Sequence, residues 1–207
     1  MGALLFRKGK TRHNQWGRVF YYTMLVMGLS AFVLGVYSQV SFMSASIGLF
    51  TTYLVISAFG AVKNRTGHAG RRERWEFIWG LACLAIFGVL TASVIQSGLM
   101  DDGLPYAVYY SYTSVALIAT LFDVKLMKNK GIYGAQRIGR HLGRMCLALL
   151  IATASFFLGQ PKFLPPMIRG TFIPAIPVLI VLISWIFWLA KTFLTRRFKR
   201  KRVRAMA

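Results

Sequence analysis

The chain is poor in acid. Only five of its 207 residues are Asp or Glu, against 26 Lys and Arg, for a formal net charge of +21. It is also poor in charge of either sign: 15% of residues are charged, where a soluble domain carries about 25%. Cysteine occurs twice, as Cys83 and Cys146, each inside an apolar run. Two such thiols make no disulfide framework and no Cys-x-x-Cys motif, and they read as small packing residues. Histidine occurs three times, at His13, His68 and His141. Neither a His-Glu-x-x-His metal motif nor a Gly-x-x-x-x-Gly-Lys-Ser/Thr phosphate loop is present. No serine, histidine and carboxylate are spaced for nucleophilic catalysis, and no close carboxylate pair lies inside the apolar stretches. These gaps weigh against an enzyme.

What the chain has instead is apolar length. Hydrophobic residues make up 56% of it, with a mean hydropathy of +0.54. Strong basicity on a soluble domain suggests nucleic acid, but this composition leaves no soluble domain to carry such a role. High apolarity with segregated positive charge reads as a polytopic membrane protein. Residues 19–62, 77–100, 103–122, 145–161 and 170–190 carry no charge. A helix needs about 20 apolar residues to cross a ~30 Å hydrocarbon core. The first stretch, 44 residues long, holds two crossings with a turn near Ser38–Ser41. It is too long for the apolar core of a signal peptide and reads as an uncleaved span. The pattern predicts an all-α bundle of six transmembrane helices, near 19–37, 43–62, 76–98, 105–124, 142–160 and 171–192, arranged as three hairpins. Residues 1–18 form a basic arm, 19–192 the bundle and 193–207 a polybasic tail.

The positive residues orient the bundle. They cluster before the first helix, between the second and third, between the fourth and fifth, and after the sixth; only Lys162 and Arg169 fall on the other side. Cytoplasmic loops hold the Lys and Arg excess, so both termini are expected in the cytoplasm. The tail residues Arg196, Arg197, Lys199 and Arg200 sit beside the last helix, where basic side chains attract anionic lipid headgroups. Small residues at Ala148, Ala152, Ser155 and Gly159, at Ala31 and Gly35, and at Gly88 and Ala92 are spaced for close helix packing, within the chain or in a homo-oligomer.

The six-span scheme keeps every ionisable group in a loop or within a turn or two of a helix end. That weighs against a proton relay or a voltage sensor, which need such groups at depth. The stretch Arg137–Arg144 is the most suggestive. Arg137 and His141 share a helix face at spacing four, and His141 and Arg144 at spacing three. His141 is thus a structural residue at the membrane rim, part of an anion or headgroup site with Arg137, Arg140 and Arg144, or a haem or quinone ligand with His68. Asp123, expected to end the fourth helix, is expected to pair with Arg144 or Arg140. That pair would pin the fourth helix to the fifth.

Asp123-Val124-Lys125, followed by a short basic loop and Arg140-His141-Leu142-Gly143-Arg144-Met145, resembles an uncharacterised family of bacterial multi-spanning membrane proteins. The likeness covers under a fifth of the chain. It implies a bacterial inner-membrane location and brings no activity with it. The sequence thus leads to a non-enzymatic inner-membrane protein, an accessory or assembly component of a membrane complex that contacts lipid and partner subunits. A haem- or quinone-binding redox module and a small transporter or channel stand as alternatives.

Overall fold

The computed structural model describes residues 11–37, 41–64, 68–97 and 104–194. Expectations placed on residues 38–40 and on Arg196, Arg197, Lys199 and Arg200 lie outside the described residues. Among the described residues the chain is all-helical: α1 (Thr11–Tyr37), α2 (Phe42–Lys63), α3 (Arg71–Ser97), α4 (Tyr106–Lys128), α5 (Gly134–Phe157) and α6 (Ala175–Leu194). Two 3-10 turns, Pro161–Phe163 and Pro166–Ile168, stand between α5 and α6. All of these helices except α5 are long and apolar enough to cross a membrane. The exception is instructive. The fifth helix, expected over 142–160, starts eight residues earlier and takes Arg137, Arg140, His141 and Arg144 into its body. It is polar along one face and apolar along the other.

Other helix ends also differ from the expectation. The first helix begins at Thr11, so His13 is helical. The third begins at Arg71, where Glu73 reaches back to accept from the Gly70 N–H at 2.9 Å. An acidic residue in the first turn that satisfies an orphan donor extends a helix beyond its apolar run. The fourth continues to Lys128, so Asp123 lies five residues inside it rather than at its end. Its stop is a Schellman turn: Gly131 N–H donates to the Leu126 carbonyl and Lys130 N–H to the Met127 carbonyl, with Lys130 at φ 52°.

The chain divides into two compact units, and the boundary falls inside α2, between Ile56 and Ser57. The first unit holds α1, most of α2, α3 and α4. Here α1 and α2 approach until backbones touch: a Cβ on Gly48 would lie 2.6 Å from the Gly28 oxygen and 2.8 Å from the Phe32 nitrogen. Gly35 packs as closely on Ala45. Small side chains allow such contact where apolar burial gives helices no net drive to associate. The hydroxyls of α2 bond back along the helix, Ser46 to the Phe42 carbonyl and Thr51 to the Ile47 carbonyl, both at 2.8 Å. That removes their polarity from an apolar surrounding. Between α3 and α4 the Thr91 and Thr113 hydroxyls meet at 2.8 Å, and Thr120 donates to the Gly80 carbonyl at 3.3 Å. Phe50, Tyr53 and Phe87 form the buried aromatic core, with Phe50 edge-on to Phe87 at 5.6 Å. Gly88, by contrast, faces open space.

The second unit holds the last turns of α2 together with α5 and α6. Gly139 of α5 lies so close to the Phe193 ring of α6 that a Cβ would stand 2.6 Å from it. Of the small residues expected to line the fifth helix, Ala148 is buried, Ala152 half-buried and Ser155 exposed, while Gly159 lies past the helix end.

Candidate functional site

The polar residues singled out in the sequence gather at two places, one in each unit. In the second unit, α5 begins at Gly134, whose φ of 54° suits a residue without a Cβ. Arg137, His141 and Arg144 then follow at spacings of four and three and share one face. Arg137 Nη1 donates to the Asn64 carbonyl at 3.0 Å. His141 Nδ1 donates to the Ala58 carbonyl at 2.9 Å. Arg144 Nη1 donates to the Ser57 hydroxyl. All three acceptors lie in the last turns of α2 or just past its end. Of these acceptors Ala58 lies five residues inside the C-terminus of α2, and the Asn64 carbonyl stands just past it, where the helix dipole leaves partial negative charge. A cation there is worth ~0.3–1 kcal/mol in the open and more when partly buried. The polar face of α5 is therefore complementary to the end of α2. Cations at the start of α5 oppose its own dipole, and their contacts with the α2 carbonyls and the Ser57 hydroxyl offset that cost.

Depth follows from the same geometry. His141 lies seven residues inside α5, within the turn or two from a helix end that the six-span scheme allows, and Arg144 lies ten residues inside, deeper than that scheme places it. Arg144 is only 6% exposed. Arg140, on a neighbouring face, is half-buried. The His141 bond places a proton on Nδ1, since the Ala58 carbonyl can only accept. His68 is exposed; the Tyr133 hydroxyl stands 3.0 Å from its Nδ1 and Asn64 Nδ2 donates to its carbonyl at 2.8 Å. His68 and His141 thus each have their own structural setting beside the end of α2.

In the first unit, Asp123 of α4 is 1% exposed, and the Tyr53 hydroxyl of α2 donates to its Oδ2. Gly80 of α3 makes room for that ring: a Cβ there would stand 2.9 Å from the Tyr53 hydroxyl. A carboxyl group taken out of water needs donors, and Tyr53 supplies one from a neighbouring helix. Asp123 and Arg144 belong to different units, and each is placed here within its own. Glu73 and Glu76 are buried at the start of α3 and pair with Arg72 at 2.6 and 3.2 Å.

Tyr53, Ser57, Asn64 and Tyr133 were not expected from the sequence. A signal for two of them exists. Ser57 and Asn64 are seven apart and share a helix face, the same step that separates Arg137 from Arg144. Tyr53 gives none, because one hydroxyl in an aromatic-rich apolar run reads as packing. No protein-family model matches the chain, and no curated protein or solved structure does either. What this arrangement does chemically is donate: its side chains direct N–H and O–H groups onto neighbouring helices.

Proposed function

We propose that the protein is a non-enzymatic component of a bacterial inner membrane, an accessory or assembly subunit of a membrane complex. Six crossings with both termini cytoplasmic belong to this proposal, supported by the Lys and Arg distribution. So do contacts between anionic lipid and the tail residues Arg196, Arg197, Lys199 and Arg200. The bacterial location is supported by the resemblance carried by residues 123–125 and 140–145. One observation carries the functional reading: the side chains best suited to bind or react, Arg137, His141 and Arg144, bond to α2. Groups used in this way hold a scaffold together.

The redox alternative draws on the same His141 bond, because ligating histidines usually donate their other N–H to a carbonyl or carboxylate. Purification in mild detergent separates the readings. The accessory role predicts a stoichiometric partner and no visible absorption band. A Soret band that disappears in His141→Ala would instead establish a haem module, and substrate uptake into liposomes would establish a transporter.

A further inference from the structure

The segment between α5 and α6 is short of water-seeking side chains and crowded with large apolar ones. Met167 is 91% exposed, Phe172 77% and Phe163 69%. Such a concentration on an ordered loop calls for a partner surface. Part of the backbone beneath it is bonded within the loop. Phe163 N–H donates to the Gln160 carbonyl at 3.1 Å, Ile168 N–H to Pro165 at 3.1 Å, and Thr171 N–H to Ile168 at 3.3 Å. Pro161, Pro165, Pro166 and Pro174 have no N–H to satisfy. Arg169 adds to these bonds: its Nε donates to the Leu164 carbonyl and its Nη2 to the Lys162 carbonyl, each at 2.7 Å. Irregular backbone does not tolerate contact with lipid unless its polar groups are paired. This loop meets that condition in part: its own residues pair the N–H groups of Phe163, Ile168, Arg169, Thr171 and Ile173 and the carbonyls of Lys162 and Leu164, and the headgroup boundary, unlike the hydrocarbon core, supplies partners for the rest.

We infer that residues 159–174 form a membrane-seated loop. Its Phe163, Met167 and Phe172 side chains insert at the boundary between headgroups and acyl chains, and Arg169 clasps the backbone so that it can lie there. Continuity with α6 favours lipid over a protein partner. The exposed apolar surface runs from Phe172 and Ile173 through Ile176, Ile180 and Ile183 along a helix apolar enough to cross the bilayer. Lys162, whose Nζ stands 5.5 Å from the Phe163 ring centre, carries its charge beside that apolar surface. A long basic side chain of this kind keeps its charged head at the headgroups while its stem rests on apolar surface.

The inference rests on α6 crossing the bilayer, and the test reads that separately. Nitroxide labels are placed on the full chain in liposomes at Phe163→Cys, Met167→Cys and Phe172→Cys, with Ile183→Cys reporting on α6. The signal of the parent chain, whose Cys83 and Cys146 are buried, is subtracted. At the loop positions collisions with oxygen are expected to exceed collisions with a water-soluble nickel chelate. The reverse order there would place the loop in water and overturn the inference, even where Ile183→Cys reads as lipid. Suppression of both collision rates would also overturn it, by showing the loop covered by protein or a second copy. A water-like reading at Ile183→Cys would defeat the spanning helix and the loop together. Arg169→Gln is expected to shift the Met167 label toward the nickel chelate, and an unchanged ratio would overturn the clasp.

Discussion

Tyr53 and Asp123 show how much one hydroxyl can matter in an apolar helix. Both are 1% exposed, and the phenol donates to the carboxyl group. Tyr53→Phe keeps the ring and removes one donor from a buried acid, which costs about 1–3 kcal/mol. Denaturation of the detergent-solubilised protein should show that loss, and Tyr110→Phe, at an exposed ring, should show almost none. Glycines divide in the same way. A methyl at Gly48 meets the Gly28 carbonyl oxygen and the Phe32 amide nitrogen, backbone atoms that cannot rotate aside. Gly48→Ala is therefore expected to destabilise by about 1–3 kcal/mol, as overpacking does. Gly88 faces open space. Gly88→Ala should leave stability unchanged or raise it by up to about 1 kcal/mol, from helix propensity alone. Equal effects at the two glycines would refute the α1–α2 contact.

At the scale of the element, α5 is held to the end of α2 by three donors on one face. Double replacement, Arg137→Ala with His141→Ala, removes two of them, each worth about 0.5–1.5 kcal/mol. Amide exchange should then quicken at residues 57–64 and 134–144 while the Thr91–Thr113 region of α3 and α4 keeps its protection. Uniform quickening would mean that these bonds govern the whole fold and not one junction. The helices themselves were legible in the sequence, since charge-free runs of bilayer length need no tertiary information. Their ends were less so. Glu73 extends α3 by capping Gly70, a local signal that hydropathy ignores. Arg137 and Arg144 resemble loop residues to any charge count, yet with His141 they form the polar face of an amphipathic helix. The partners were the least legible of all. Tyr53 and Asp123 are 70 residues apart, and Arg144 and Ser57 are 87 apart, so no local spacing reports either pair.

For the whole molecule, α5 decides the topology. The other helices number five among the described residues and are apolar enough to cross a membrane unaided. Five crossings place the termini on opposite sides, and six place them together. If α5 stayed at one face, either the basic N-terminal arm or the basic tail would face outward. The positive-inside bias opposes that arrangement. A helix whose cationic face is engaged with α2 needs less help from water than its composition suggests. Its polar side chains already have acceptors, and their cost in lipid falls accordingly. The six crossings proposed above would satisfy charge and hydrogen bonding together. Reporter fusions that are active only inside or only outside the cell, placed in turn at each end of the chain, are expected to give the cytoplasmic signal at both. A cytoplasmic signal at one end and an external signal at the other would make α5 a surface helix. Arg137→Ala, Arg140→Ala and Arg144→Ala combined should leave the N-terminal signal unchanged and begin to mix the C-terminal one, because only the last two helices depend on how α5 enters.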